Sequence, residues 1–227
     1  MCTNVAVATP ALSFADEGQG YRFLTEGQYR KALTPFQRFV SSYRAMRDEG
    51  SAWRPMWGSV YDGLVGLGAA YARLGDAKRA DAAWREALGV WPLGQPPGAQ
   101  TADAFGTGKI NEGFADYEGL LFSQGGGIGF DTVDVPSSAI DRLRAGLHAG
   151  ANGKYRQALE ELNDSLKLAP LREPRYARGE ILWHLGRVHD ARNDWLTVLE
   201  SPPQVSSPPS QNGPAYLAVR ALLRTSR

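Results

Sequence analysis

One cysteine, Cys2, and three histidines are all that the 227 residues offer in thiol or imidazole metal ligands. A single thiol excludes an internal disulfide framework and a cysteine-based zinc site. His184 and His189 are five apart across a predicted helix break, unlike the three- or four-residue spacing that puts two ligands on one helical face, and His148 lies elsewhere. No metal or other cofactor is expected. Net charge is nearly absent too, with 25 basic against 24 acidic residues, formally +1. Nucleic acids and anionic membranes select basic stripes, so neither is expected as a partner. No apolar run approaches the roughly 20 residues that span a bilayer, so no transmembrane segment is expected.

Catalytic signatures are equally scarce. Gly106-Thr107-Gly108-Lys109 resembles part of a phosphate-binding loop, but Asp103 and Ile110 stand where that loop needs glycine and a hydroxyl residue. The Gly125–Gly129 run lacks dinucleotide-binding spacing and reads as a connector, and Asp131 and Asp134 could bind a cation only with help from elsewhere. No Ser-His-Asp or Cys-His arrangement suggests itself, so the chain is expected not to be an enzyme.

What is present is ordinary folded-protein composition, 43% hydrophobic and 22% charged, with a repeat superimposed on it. In Tyr61–Gly94, Leu64, Leu67, Gly68 and Tyr71 fall on one face of a helix, and Ala80, Trp84 and Ala87, with Pro92 beyond, on one face of a second. Gly75 lies between them, where a left-handed residue can end a helix. Gly68, Gly75, Ala80, Trp84 and Pro92 recur as Gly146, Gly153, Ala158, Leu162 and Pro170, and again as Gly179, Gly186, Ala191, Trp195 and Pro203. An N-terminal copy reads Gly20, Gly27, Ala32 and Phe36, with Arg44 in place of proline.

These residues resemble the tetratricopeptide repeat, W-x2-L-G-x2-Y, then A-x3-F, then P. The resemblance implies an all-α, right-handed superhelix of antiparallel helix pairs, an α-solenoid, whose first helices line a groove for a peptide or a partner helix. It covers about four copies, arranged as 13–94 (two copies with an intervening segment) and 139–205 (two more), around an insertion at 95–138. Residues 1–12 are expected to be a flexible N-terminus, and 206–227 a Pro/Ser linker followed by a capping helix at Ala215–Arg224.

Within this frame, Asp16, Gln19 and Gly20 on its packing face predict a short or frayed first helix, and Pro35 predicts a kink in the second. Trp53 and Trp57 share a face, with the next helix starting near Trp57. Ser137 or Ser138 is the expected cap of copy three. The insertion contains one amphipathic stretch, Lys109–Gln124, with Ile110, Phe114, Tyr117 and Leu121 on one side.

Projecting the family's groove onto this chain implies a lining of Tyr21, Ala69, Ala72 and Arg73, then Leu143, Arg144 and Leu147, then Tyr176, Glu180, Trp183 and His184. Val65, Ala69, Leu143 and Leu147 occupy positions where chaperone-binding members carry a polar clamp, which argues against that activity. The resemblance thus implies a protein or peptide partner held by apolar anchors, in an adaptor or assembly factor. A self-associating scaffold is the alternative, possibly an envelope-associated lipoprotein, with an enzyme using 95–136 less favoured. Cytoplasmic location is the default. Val5–Ala15 ends in a small-x-small pattern but has no preceding Lys or Arg, so export, or anchoring through Cys2, stays an alternative.

Overall fold

The computed structural model describes residues 12–50, 56–90, 113–118, 135–202 and 213–226. Cys2, Trp53, Pro92, Gly106–Lys109, Gly125–Gly129, Asp131, Asp134 and Pro203 lie outside these, as do Ile110 and Leu121. The described regular structure is α-helical. Two compact units divide at Pro92, Met1–Pro92 and Leu93–Arg227.

In the first unit, α1 (Phe14–Thr25) and α2 (Tyr29–Asp48) form one hairpin, and α3 (Trp57–Arg73) and α4 (Ala77–Gly89) the next. The first helix is neither short nor frayed. Ser13 caps it, its Oγ accepting from the Asp16 amide at 3.3 Å, and Gly20 seats the ring of Phe36 instead of leaving a gap. Helix α2 runs through Pro35. Ala32, Phe36, Phe39, Val40 and Tyr43 are buried, and α2 packs against both α1 and α3. Tertiary packing thus outweighs the one donor that proline removes.

The second unit contains α5 (Ser137–Ala151), α6 (Tyr155–Leu168), α7 (Arg172–His184), α8 (Val188–Glu200) and α9 (Pro214–Arg224), with a further helical segment at 113–118. Consecutive helices from α5 to α9 pack on one another, and α7 also touches α5 and α9. Ser137 and Ser138 lie inside α5, which starts after an extended Pro136 and has no side-chain cap. Proline's fixed φ already sets the entry to this helix.

One joint is built four times. Gly27, Gly75, Gly153 and Gly186 have φ of 70°, 82°, 73° and 76°, a region where a Cβ is penalised. After each, the next amide donates to the carbonyl five residues back, as in Asp76 to Tyr71 at 2.9 Å and Lys154 to Ala149 at 2.9 Å. This satisfies carbonyls that the ending helix would strand and turns the chain back on itself. Across each hairpin a second glycine meets a large side chain: Gly20 meets Phe36, Gly68 Trp84, Gly146 Leu162 and Gly179 Trp195. A Cβ at Gly20 would lie 2.6 Å from the Phe36 ring, and one at Gly146 2.8 Å from Leu162 Cγ. Ala32, Ala80, Ala158 and Ala191, at 0% exposure, keep the paired helices close.

Candidate partner-binding surface

The repeated joint fixes which face each first helix turns away from its own hairpin partner. In the first unit α1 and α3 are in contact, tied by Tyr21, whose hydroxyl donates to the Asp62 carbonyl at 2.8 Å. Tyr21, Val65 and Ala69 are buried there. Arg73 is half-buried, its guanidinium 5.8 Å from the Tyr29 ring centre. Tyr71 and Leu67 belong to the packed side, where Tyr71 Oη accepts from Gln37 Nε2 at 2.8 Å. Leu64 and Trp84 are fully buried, the indole donating to the Val65 carbonyl at 3.3 Å.

Glu17 is an unusual member of this surface. It is buried; desolvation first, and the nearby Asp62 charge second, raise its carboxyl from 4.5 to about 8. At neutral pH this acid is therefore mostly protonated.

In the second unit the projected lining divides in two. Arg144 and His184 are exposed and Trp183 is half-buried, whereas Leu143, Leu147, Tyr176 and Glu180 are buried. For Tyr176 and Glu180 the covering groups come from the chain itself. Segment 113–118 lies on α5 and α7, with Tyr117 edge-on to Tyr176 at 5.4 Å and Phe114 against Gly150. Helix α9 reaches Glu180 and Trp183 through Arg224: Nη2 is 3.0 Å from Glu180 Oε2, and the guanidinium sits 4.0 Å from the Trp183 ring centre. Burial raises the Glu180 carboxyl and Arg224 opposes the shift. Tyr21, Leu147, Tyr176 and Glu180 are thus internal contacts in the state described, a departure from the lining projected from sequence.

Sequence reasoning identified Phe114 and Tyr117 as one apolar face but not their seat. The available signal was Gly150, a glycine outside the repeated positions. Arg224 and Glu180 sit 44 residues apart, beyond the reach of periodicity.

A cavity of about 270 Å³ lies among α6, α7 and α8, with Asn163, Arg178, Asn193 and Asp194 on its wall. Arg178 donates to both Asp194 oxygens at 2.7 and 2.6 Å and to Asn163 Oδ1 at 2.6 Å. That set is internally matched and buttresses the α6–α7–α8 packing. Of the histidines, His148 Nδ1 is 3.8 Å from Glu118, His189 Nδ1 is 3.7 Å from Asp190, and His184 meets the Tyr155 ring at 5.0 Å. Among the described residues no three His, Cys, Asp or Glu side chains converge on one point, and no helix is long and apolar enough to cross a membrane.

Residues 143–206 match the tetratricopeptide repeat family. Over that stretch the paired helices fit a tetratricopeptide-like repeat. The match spans Gly146, Gly153, Ala158, Leu162, Pro170, Gly179, Gly186, Ala191 and Trp195, the positions that build the joints of α5–α8. Tetratricopeptide repeats commonly mediate protein–protein interactions. No curated protein matches the chain.

Proposed function

We propose that the chain is a non-enzymatic adaptor or assembly factor that binds a peptide or helix of another protein along the first helices of its tetratricopeptide-like repeats. The observation that carries this reading is the placement of Arg144, His184 and half-buried Trp183 outward on neighbouring first helices α5 and α7. An aromatic anchor rimmed by cationic or ring donors is a common composition for a contact surface. In the first unit, Arg73 and Ala72 at the end of α3 have the same relation to the framework.

The test is capture of partners from the source cells by the intact chain, compared with Arg144→Glu and His184→Glu. Both side chains are exposed, so the variants should keep the wild-type circular dichroism spectrum. Loss of a reproducible partner by either variant is the expected result. Retention of every wild-type partner by both folded variants removes this surface as the binding site.

A further inference from the structure

The contact made by segment 113–118 is itself a description of a ligand. Its buried side is Phe114 and Tyr117, one turn apart at 0% and 1% exposure, while Ala115 and Asp116 face outward. The receiving surface is shaped for those rings. Gly150 lies four residues after the framework glycine Gly146 and outside the helix–helix joint. A Cβ there would stand 2.8 Å from Phe114 Cγ. Tyr176 of α7 supplies the edge-on partner for Tyr117. At its end the segment also brings Glu118 to 3.8 Å from His148 of α5.

We propose that the α5/α7 groove is a docking site for a helix bearing two aromatic residues one turn apart, and that residues 113–118 are its resident intrachain occupant, displaced when such a partner binds. This rests on the partner-binding reading above and gives the partner a chemistry. Helix-in-groove recognition reads anchors at such spacings. A tethered occupant competes at an effective concentration of about 1 mM, so a partner in trans must outcompete it.

The probe is a fluorescein-labelled peptide of residues 109–124 titrated into the full chain by anisotropy. Phe114→Ala/Tyr117→Ala, which empties the groove, should bind it about tenfold more tightly than wild type for a peptide Kd of about 0.1 mM, because a tethered competitor masks a site by the ratio of its effective concentration to that Kd. Adding Gly150→Leu to that variant should abolish binding. Equal binding by wild type and the emptied variant, or none by the emptied variant with an intact circular dichroism spectrum, overturns the proposal.

Should the emptied variant not fold, wild type decides. Excess unlabelled peptide should speed hydrogen exchange at 113–118, and unchanged exchange at about 1 mM peptide overturns the proposal. Dimers of wild type that are lost in the emptied variant would assign the groove to a second copy instead. Because the probe is synthetic, the two readings fail separately. Partners lost on Arg144→Glu but kept on Phe114→Ala/Tyr117→Ala/Gly150→Leu would leave the binding module standing and remove this groove.

Discussion

Replacing Glu17 by glutamine should change how stability depends on pH, in a direction fixed by the environment of that carboxyl. Burial and the facing Asp62 raise it from 4.5 to about 8. Below pH 4.5 both folded and unfolded chains hold the proton, and above 8 both have released it. In between, the unfolded chain has lost a proton that the folded chain retains, so stability falls as pH rises. The slope is about 1.4 kcal/mol per pH unit, which over this window amounts to about 5 kcal/mol. Glutamine keeps the shape and the neutrality of the protonated acid but has no proton to lose. Urea denaturation of wild type and Glu17→Gln from pH 4 to 9, followed by tryptophan fluorescence, isolates the effect as the difference between the two curves. Other titrating groups cancel in that difference. The variant should match wild type near pH 4 and exceed it progressively, with most of the gain reached by pH 8. Parallel curves across the range would refute the buried, protonated Glu17.

Two glycines in α1 should respond oppositely to alanine. Gly18 has open space around it, so Gly18→Ala should stabilise by about 0.5–1 kcal/mol through helix propensity, whereas Gly20→Ala drives a methyl into Phe36 and should cost about 1–3 kcal/mol. Chemical denaturation of the pair checks both signs. Arg224→Ala leaves the fully buried Glu180 carboxylate without its cation and should cost about 3–5 kcal/mol, with Glu180→Gln in the same chain recovering much of it. A double-mutant cycle read by thermal unfolding measures that coupling. Gly153→Ala forces a Cβ into the left-handed turn between α5 and α6 and should cost about 1–2 kcal/mol, visible as faster hydrogen exchange at Lys154.

The hairpins were legible because their joints use residue types that geometry nearly dictates. A left-handed turn calls for glycine, and a close helix crossing calls for glycine or alanine opposite a bulky ring. Gly75, Ala80 and Trp84 therefore mark the α3–α4 joint in sequence as clearly as in space. Spacing also placed the last helix, expected over Ala215–Arg224, to within one residue of the observed α9. The misses share a cause. Pro35 and the polar first helix were judged by local rules, yet Phe36, Phe39 and Tyr21 bind those helices into the unit through distant contacts. Likewise an apolar face announces that something covers it without naming what does. Tyr176 was read as open groove because nothing periodic connects it to Tyr117, and Glu180 because Arg224 lies on the last helix.

The division between framework and surface can be followed at a single position, four residues after each framework glycine. There the first helices carry Leu24, Ala72, Gly150 and Trp183 in turn. The joints beneath are the same: each hairpin has its glycine against a large side chain and its left-handed glycine at the bend. What stands above them differs. Leu24 is buried, Ala72 is half-buried, Gly150 receives the Phe114 ring, and Trp183 lies under the Arg224 guanidinium. A position free to hold leucine, alanine, glycine or tryptophan on one backbone frame is not being used to hold the frame. It sets what can lie against each first helix, so Gly150→Leu should leave the α5–α6 joint intact while refusing an aromatic occupant. That separation lets one repeated hairpin present different surfaces along the same chain.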